Sequence, residues 1–284
     1  MMSDWSAWIG REERRSDRID AGLTARWLAT VDRAAPADRS VPQGLHWCLC
    51  TPDAPTANLG PDGHPLRDDG PTSFLPSIPD LPRRMWASSK VEFFAKLHPG
   101  EAVERLSRVV SVTEKNGASG RLVFVEVQHE TSGTAGLAVR EVQSLVYREA
   151  AAPGTPPAPS LLGEGQFDPS EWSAHRAVSP TETLLFRYSA LTFNSHRIHY
   201  DLPYAAEQEN YRGLVVHGPL MATLLLDLAR QELGDNALKS FAFRGLSPAI
   251  CGEMLHLVLR SKDAAFEFGA FADDGRQVMS ATAG

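Results

Sequence analysis

The sequence predicts an α+β protein made of two copies of one unit, each a long buried helix wrapped by an antiparallel sheet. Three observations carry this reading. A nearly uncharged, proline-rich run, Ala150-Ala151-Ala152-Pro153-Gly154-Thr155-Pro156-Pro157-Ala158-Pro159-Ser160, cuts the chain close to its middle and suits neither a helix nor a central strand. On both sides of it the same order recurs: an aromatic strand, a Pro/Gly turn closing on Glu, then three further strands. Residues 220–228 are apolar almost throughout and follow His217-Gly218-Pro219, which reads as the entry of a helix buried on nearly all sides. The expected division is 1–149, a linker at 150–165, and 166–284.

Residues 1–40 are polar and helical in tendency. Asp20 suits an N-cap for residues 21–31, where Leu23, Trp27 and Val31 fall four apart on one face. The apolar run at 45–49 is compact enough for a buried strand. Residues 51–82 turn to Pro, Gly and Asp, with 59–65 reading as consecutive turns. So long an irregular loop is costly to order, and a lid or the wall of a binding site is its usual use. Arg83-Arg84-Met85-Trp86 closes the loop, either as a solvated charge pair or as a contact for phosphate or carboxylate, with Trp86 against an acyl or aromatic group. Alternation predicts strands at 90–95, 103–112, 122–127 and 141–147, and in the second half at 241–244, 254–259, 266–271 and 277–281.

Composition excludes several classes. Hydrophobic residues at 43% and charged residues at 22% are ordinary for a folded enzyme and argue against disorder. A net charge of −7 argues against a nucleic-acid or membrane-surface partner, while leaving room for a local basic pocket. Cys48, Cys50 and Cys251 are too few and too badly spaced for a disulfide framework or a zinc site. The amino terminus lacks the apolar core of a signal peptide, and no run is long enough to span a bilayer, so a cytoplasmic location is expected. Neither a metal-ligand cluster nor a dinucleotide fingerprint is present, so no metal and no cofactor are expected.

The chemistry concentrates in Thr192-Phe193-Asn194-Ser195-His196-Arg197-Ile198-His199-Tyr200-Asp201, a turn dense in groups that move protons, followed by Val215-Val216-His217-Gly218 at the helix entry. This stretch resembles the MaoC-like hot-dog hydratases and dehydratases, whose motif Ala-Leu-Ser-Gly-Asp-Phe-Asn-Pro-x-His-x-Asp aligns without a gap. Ala190, Leu191 and Asp201 fall on their counterparts, His199 on the catalytic His, and Val216-His217-Gly218 on the helix entry. Asn194 stands where that family has its catalytic Asp, His196 where it has Asn, and Arg197 where it has Pro. The variant pattern is similar to the subgroup of mesaconyl-C4-CoA and itaconyl-CoA hydratases and the mitochondrial-type 3-hydroxyacyl-thioester dehydratases. The resemblance implies a double hot-dog with its specific motif in the second copy only.

It further implies hydration of an enoyl-CoA, with mesaconyl-C4-CoA (3-methylfumaryl-CoA) or itaconyl-CoA giving citramalyl-CoA. The coenzyme is then part of the substrate. The alternatives are a dehydratase of fatty-acid synthesis and an acyl-thioester binder without catalysis, the latter favoured only by Asn194 in place of Asp. Hydration needs a base for water and a donor for the thioester oxygen. His199 suits the first and the Gly218 N–H, at the positive end of a helix, the second. Asn194, an amide, can hold the water or the thioester but take no proton, so the base is His199, or else Asp201 or another carboxylate. His196 is a supporting or a surface residue; Arg197 pairs with a substrate carboxylate or with Asp201 or Glu207. His217 reads as structural. The expected assembly is a monomer, since a double unit supplies internally what single units gain by pairing, or a homodimer.

Overall fold

Ten strands, most of them with alternating apolar positions, form in the computed structural model, which describes residues 5–117, 120–263 and 265–284. The first half contributes β1 (Glu12–Arg18), α1 (Ala21–Thr30), β2 (Arg83–Phe93), β3 (Ala102–Gly117), β4 (Gly120–Gly133) and β5 (Gly136–Arg148). The second contributes β6 (Ala174–Val178), α2 (Glu182–Thr192), α3 (Leu202–Glu207), α4 (Gly218–Leu233), β7 (Ser240–Gly245), β8 (Leu255–Lys262), β9 (Ala265–Ala272) and β10 (Gln277–Ala283). All ten strands form one sheet in the order β1-β3-β4-β5-β2-β7-β10-β9-β8-β6. Counted from the two edges, the second five repeat the order of the first five, and the halves join where β2 pairs antiparallel with β7 from Ser88↔Arg244 to Glu92↔Ser240.

The two wrapped helices are unequal. In α4 every residue from Pro219 to Ala229 is buried, as an all-round apolar run requires, and the helix lies against β6, β8 and β9. Its one buried charge, Asp227, accepts from Arg176 (2.7 Å), Arg230 (2.9 Å) and Gln231 (3.1 Å), so it is not left unpaired. Helix α1 has ten residues against sixteen in α4. Asp20 caps it as expected, its Oδ1 accepting from the Leu23 N–H at 2.8 Å. It stops at Thr30, and the chain turns away through left-handed Asp32 (φ 52°) toward Pro36, which no helix could have carried. Trp27, Leu45 and Leu49 nevertheless share one core with Leu220, Leu224 and Leu225 of α4.

Three local expectations fail for physical reasons. Residues 45–48 form a 3₁₀ turn, not a strand: Gly44, at φ 99°, turns the chain against Leu226 and Trp27, and a five-residue apolar run does not distinguish the two by pattern. Residues 12–18 are a strand, not helix, because the edge position next to β3 is stabilised by charge pairs such as Arg14–Glu104 and Arg108–Glu12 and not by an apolar face. Arg83-Arg84-Met85-Trp86 does not close the loop but opens β2. Loop 51–82 lays Ile78 and Leu81 on Val109, Val123, Val125 and Val127 of the first-half sheet. No described helix is long and apolar enough to cross a membrane.

Leu225 is fully buried at the centre of α4. Leu225→Ala is expected to cost about 2–5 kcal/mol of unfolding free energy, read from the urea midpoint.

Candidate active site

Helix α2 ends because Phe193 takes a left-handed conformation (φ 49°), which turns the chain sharply into the polar stretch. Asn194 Oδ1 accepts from the His196 N–H at 2.9 Å, leaving the amide NH2 as the group Asn194 can offer a ligand. A single 3₁₀ turn, Arg197–His199, then presents His199, and Asp201 caps α3 by accepting from the Tyr204 N–H. The His199 Nδ1–H donates to the Val215 carbonyl at 2.7 Å. A carbonyl only accepts, so Nε2 keeps its lone pair. Burial, reinforced by neighbouring His196, holds His199 down to about 3, so the ring is neutral and able to accept a proton.

His199 lies face to face with His217, ring centres 3.6 Å apart, and His217 is hydrogen-bonded through Nε2 to Ser189 Oγ at 2.8 Å. Gly218 follows as the first residue of α4, whose opening amide groups have no partner within the helix. A Cβ on Gly218 would meet only the Trp86 carbonyl, at 3.7 Å, and the Gly218 N–H has no hydrogen-bond partner among the described residues. Asn194, His199, Gly218, Arg84 and Trp86 all face one cavity of about 1740 Å³. That exceeds the 300–1,000 Å³ typical of a drug-sized ligand and suits a larger one.

The long loop of the first half is fastened onto this turn. The Arg197 N–H donates to the Asp62 carbonyl at 2.9 Å, and Ser195 Oγ donates to the Gly63 carbonyl at 2.5 Å. Gly63, at φ 85°, lies so close that an added Cβ would come within 1.9 Å of the Ser195 carbonyl oxygen. His64 is held by Asp62 (Nδ1···Oδ2 2.8 Å) and packs 4.1 Å from the His196 ring. Asp62, His64 and His196 bring their possible ligand atoms within 4.8 Å of one another, an arrangement that a reading without metal did not foresee.

A family profile described as hydroxyacyl-thioester dehydratase type 2 matches residues 44–251. The chain is 40% identical over 283 residues to the mesaconyl-C(4)-CoA hydratase of Chloroflexus aurantiacus, covering 99% of this chain and 97% of that protein. The chain belongs to the hydroxyacyl-thioester dehydratase type 2 family. Solved structures agree on the fold. A MaoC-like dehydratase from Phytophthora capsici superposes with a TM-score of 0.70 at 14% identity, covering 99% of this chain and 98% of its own. A Mycobacterium tuberculosis protein described as a double hot-dog gives 0.55 at 14%, covering 97% and 95%. The α+β double hot-dog and the class of hydratase and dehydratase enzymes expected from the sequence are those of this family.

In this member of the hydroxyacyl-thioester dehydratase type 2 family, two residues read as substrate contacts are already engaged. Arg197 points away from the cavity: Nε and Nη2 donate to Asp201 Oδ2 at 2.9 and 2.7 Å, and the guanidinium covers Tyr204. Its carboxylate lies four residues on in the same turn, which is the salt bridge weighed against a substrate contact. Arg83 donates to Glu209 Oε2 at 3.1 Å, and Glu209 Oε1 faces His196 Nε2 at 3.2 Å. His196 is therefore a buried brace behind the turn. Trp86 donates to Ser89 Oγ at 2.8 Å and meets Trp47 edge-on, which fixes its ring in the wall. Arg84 alone of these arginines has no bonded partner among the described residues; burial lowers it to about 10, with only Asp62 acting the other way.

Sequence reasoning missed Asp62 and His64, which it read as turn residues, and the stacking of His217 on His199. The available signal was a His flanked by Gly and Pro in a loop too long to be idle. Gly63→Ala is expected to detach this loop, lowering the unfolding free energy by about 1–3 kcal/mol and admitting protease within 51–82. Gly100→Ala is the control, with φ 96° but nothing within 4 Å of the added carbon, and should show only the left-handed penalty of about 1–2 kcal/mol.

Proposed function

We propose that the chain hydrates an enoyl-CoA whose acyl group is a branched dicarboxylic half-thioester, with mesaconyl-C4-CoA the first choice and itaconyl-CoA the second. The observation that carries the reading is His199, with a bare Nε2, on the same cavity as the open first amide of α4. Water sits between Asn194 NH2 and His199 Nε2. In mesaconyl-C4-CoA, where the olefin is conjugated to the thioester, His199 takes one proton as the water oxygen attacks the β-carbon, and charge moves through the olefin onto the thioester oxygen, which accepts from the Gly218 N–H. His199 returns the proton to the α-carbon, so one water is added across the double bond. A ring held near 3 is a weak base in the free enzyme, but the enolate forming beside it favours the imidazolium.

Acid–base chemistry of this kind asks for no group beyond the coenzyme A of the substrate. The second half, 166–284, carries the reacting groups. The first, 1–149, supplies the wall through Arg84, Trp86 and the loop at 51–82, with 150–165 joining them. The dicarboxylic substrate is supported by the 40% identity to a mesaconyl-C(4)-CoA hydratase over nearly the whole chain, and by Arg84, a cation that a simple fatty chain would leave unpaired. The second reading, dehydration of 3-hydroxyacyl thioesters, is favoured by the family description.

Purified protein given mesaconyl-C4-CoA, itaconyl-CoA and crotonyl-CoA should hydrate the dicarboxylic substrates far faster, followed as loss of enoyl-thioester absorbance or by chromatography of the product. Preference for crotonyl-CoA would favour the dehydratase reading, and no turnover would leave a binder. His199→Ala should lower kcat by about 10²–10⁴-fold while the protein stays folded, shown by a single cooperative melting transition. The acid limb of kcat/KM should lie well below 6.5, because burial keeps the ring unprotonated down to about 3. A limb near 6.5 would move the base role to another group.

A further inference from the structure

We propose that Arg67 and Arg84 together bind the carboxylate that the acyl group carries on its β-carbon, so that the pair selects dicarboxylic half-thioesters. The inference rests on the hydratase reading and adds to it a residue from the loop.

Arg67 comes from loop 51–82 and Arg84 from β2, yet both face the one cavity. Arg67 Nη1 is buried with no hydrogen-bond partner, and its guanidinium lies 5.5 Å from the centre of the Tyr147 ring. Of the other arginines nearby, Arg15 pairs with Asp53, Arg83 with Glu209 and Arg197 with Asp201, and Arg105 donates to the Leu49 carbonyl, while Arg148 lies beside Arg83 and Glu209 and Arg244 is exposed to solvent. The carboxylate whose charge reaches both is Asp62, with Glu13 acting on Arg67 as well, and both Asp62 oxygens already serve His64, one through the ring and one through the backbone N–H at 3.0 Å. Burial lowers both guanidinium groups, and each sits close enough for Arg84 to depress Arg67 further. Two like charges on one desolvated wall, neither hydrogen-bonded to a carboxylate among the described residues, favour an anion between them.

The place of the pair says which anion. Arg84 is two strand residues, about 6–7 Å, from Trp86, whose carbonyl lies against Gly218. The charge of Arg84 also reaches His64, and the rings of His64, His196 and His199 follow one another at 4.1 and 5.5 Å. The cations therefore border the reaction centre. In mesaconyl-C4-CoA the free carboxylate is bonded directly to the carbon that water attacks. The phosphates of coenzyme A lie a whole pantetheine arm from the thioester, so an anion at this position belongs to the acyl group.

The test compares wild type, Arg67→Gln and Arg84→Gln on mesaconyl-C4-CoA and crotonyl-CoA. Each variant should lose about 10- to 100-fold more kcat/KM on the dicarboxylic substrate than on crotonyl-CoA, chiefly through KM. Equal losses on both overturn the proposal. A loss that appears with CoA thioesters but not with pantetheine thioesters of the same acids assigns the pair to the phosphates, and also overturns it. Without ligand, Arg67→Gln should melt at the same or a higher temperature, since it relieves an unmatched charge; a lower one makes Arg67 a structural brace. If wild type hydrates none of the thioesters, the hydratase reading fails by itself. The pair is then judged by free mesaconate, which should raise the melting temperature of wild type but not of Arg67→Gln, and a rise in neither or in both sinks it.

Discussion

The site depends on the short segment 214–216 and the bonds it makes on both sides. Val215 accepts from His199 Nδ1 and donates its N–H to the Ile198 carbonyl at 3.0 Å, while Val216 donates to Ala249 and Leu214 accepts from Cys251. One strand-like link thus sets the tautomer of the imidazole, its orientation, and its distance from the start of α4. Because α4 is buried from Pro219 to Ala229, that start cannot shift without disturbing the core. His199 and Gly218 are thereby tied to a helix buried from Pro219 to Ala229.

Packing four imidazoles into this region has an electrostatic condition. His199 and His217 stack at 3.6 Å, and His64 and His196 adjoin them. Neutral rings tolerate such contact, whereas two imidazolium ions at that separation in a desolvated space would repel strongly. Burial holds His199 near 3 and keeps His217 and His64 well below the ordinary range, so the cluster is consistent with itself near neutral pH. The same burial lowers stability as pH falls from 6.5 toward 3, because the unfolded chain gains protons there that the folded rings refuse.

What could be read from sequence follows from what is local. The α4 entry, the Asp20 cap, the later strands of each half and the chemical density of 192–201 are patterns within a few turns of chain, and all are present. β1 and β6 escaped notice because edge strands with little apolar alternation carry no period-two signal. Helix α2 was given no element, although its buried residues Leu185, Tyr188 and Leu191 recur at three-residue spacing. In the site, Asn194, His199 and Gly218 share the cavity, but the partners of Arg83 and Arg197 and the arrival of Asp62, Gly63 and His64 depend on contacts between residues far apart in sequence, which no pattern encodes. Arg197 shows the limit well: its neighbour Asp201 was visible as an alternative, and only geometry chose between them.

The shortness of α1 leaves part of the first-half sheet uncovered, and polar side chains such as Arg105, His129 and Glu141 face the cavity there instead of a helix. In a pair of identical chains, any change that trimmed this helix would trim its counterpart as well. Joining two copies in one polypeptide, with β2 and β7 as the seam, frees each to change alone. One can hollow out around a cavity of about 1740 Å³ while the other keeps the tight interior of α4. Asymmetry of this kind is open to a fused duplicate and closed to a symmetric dimer.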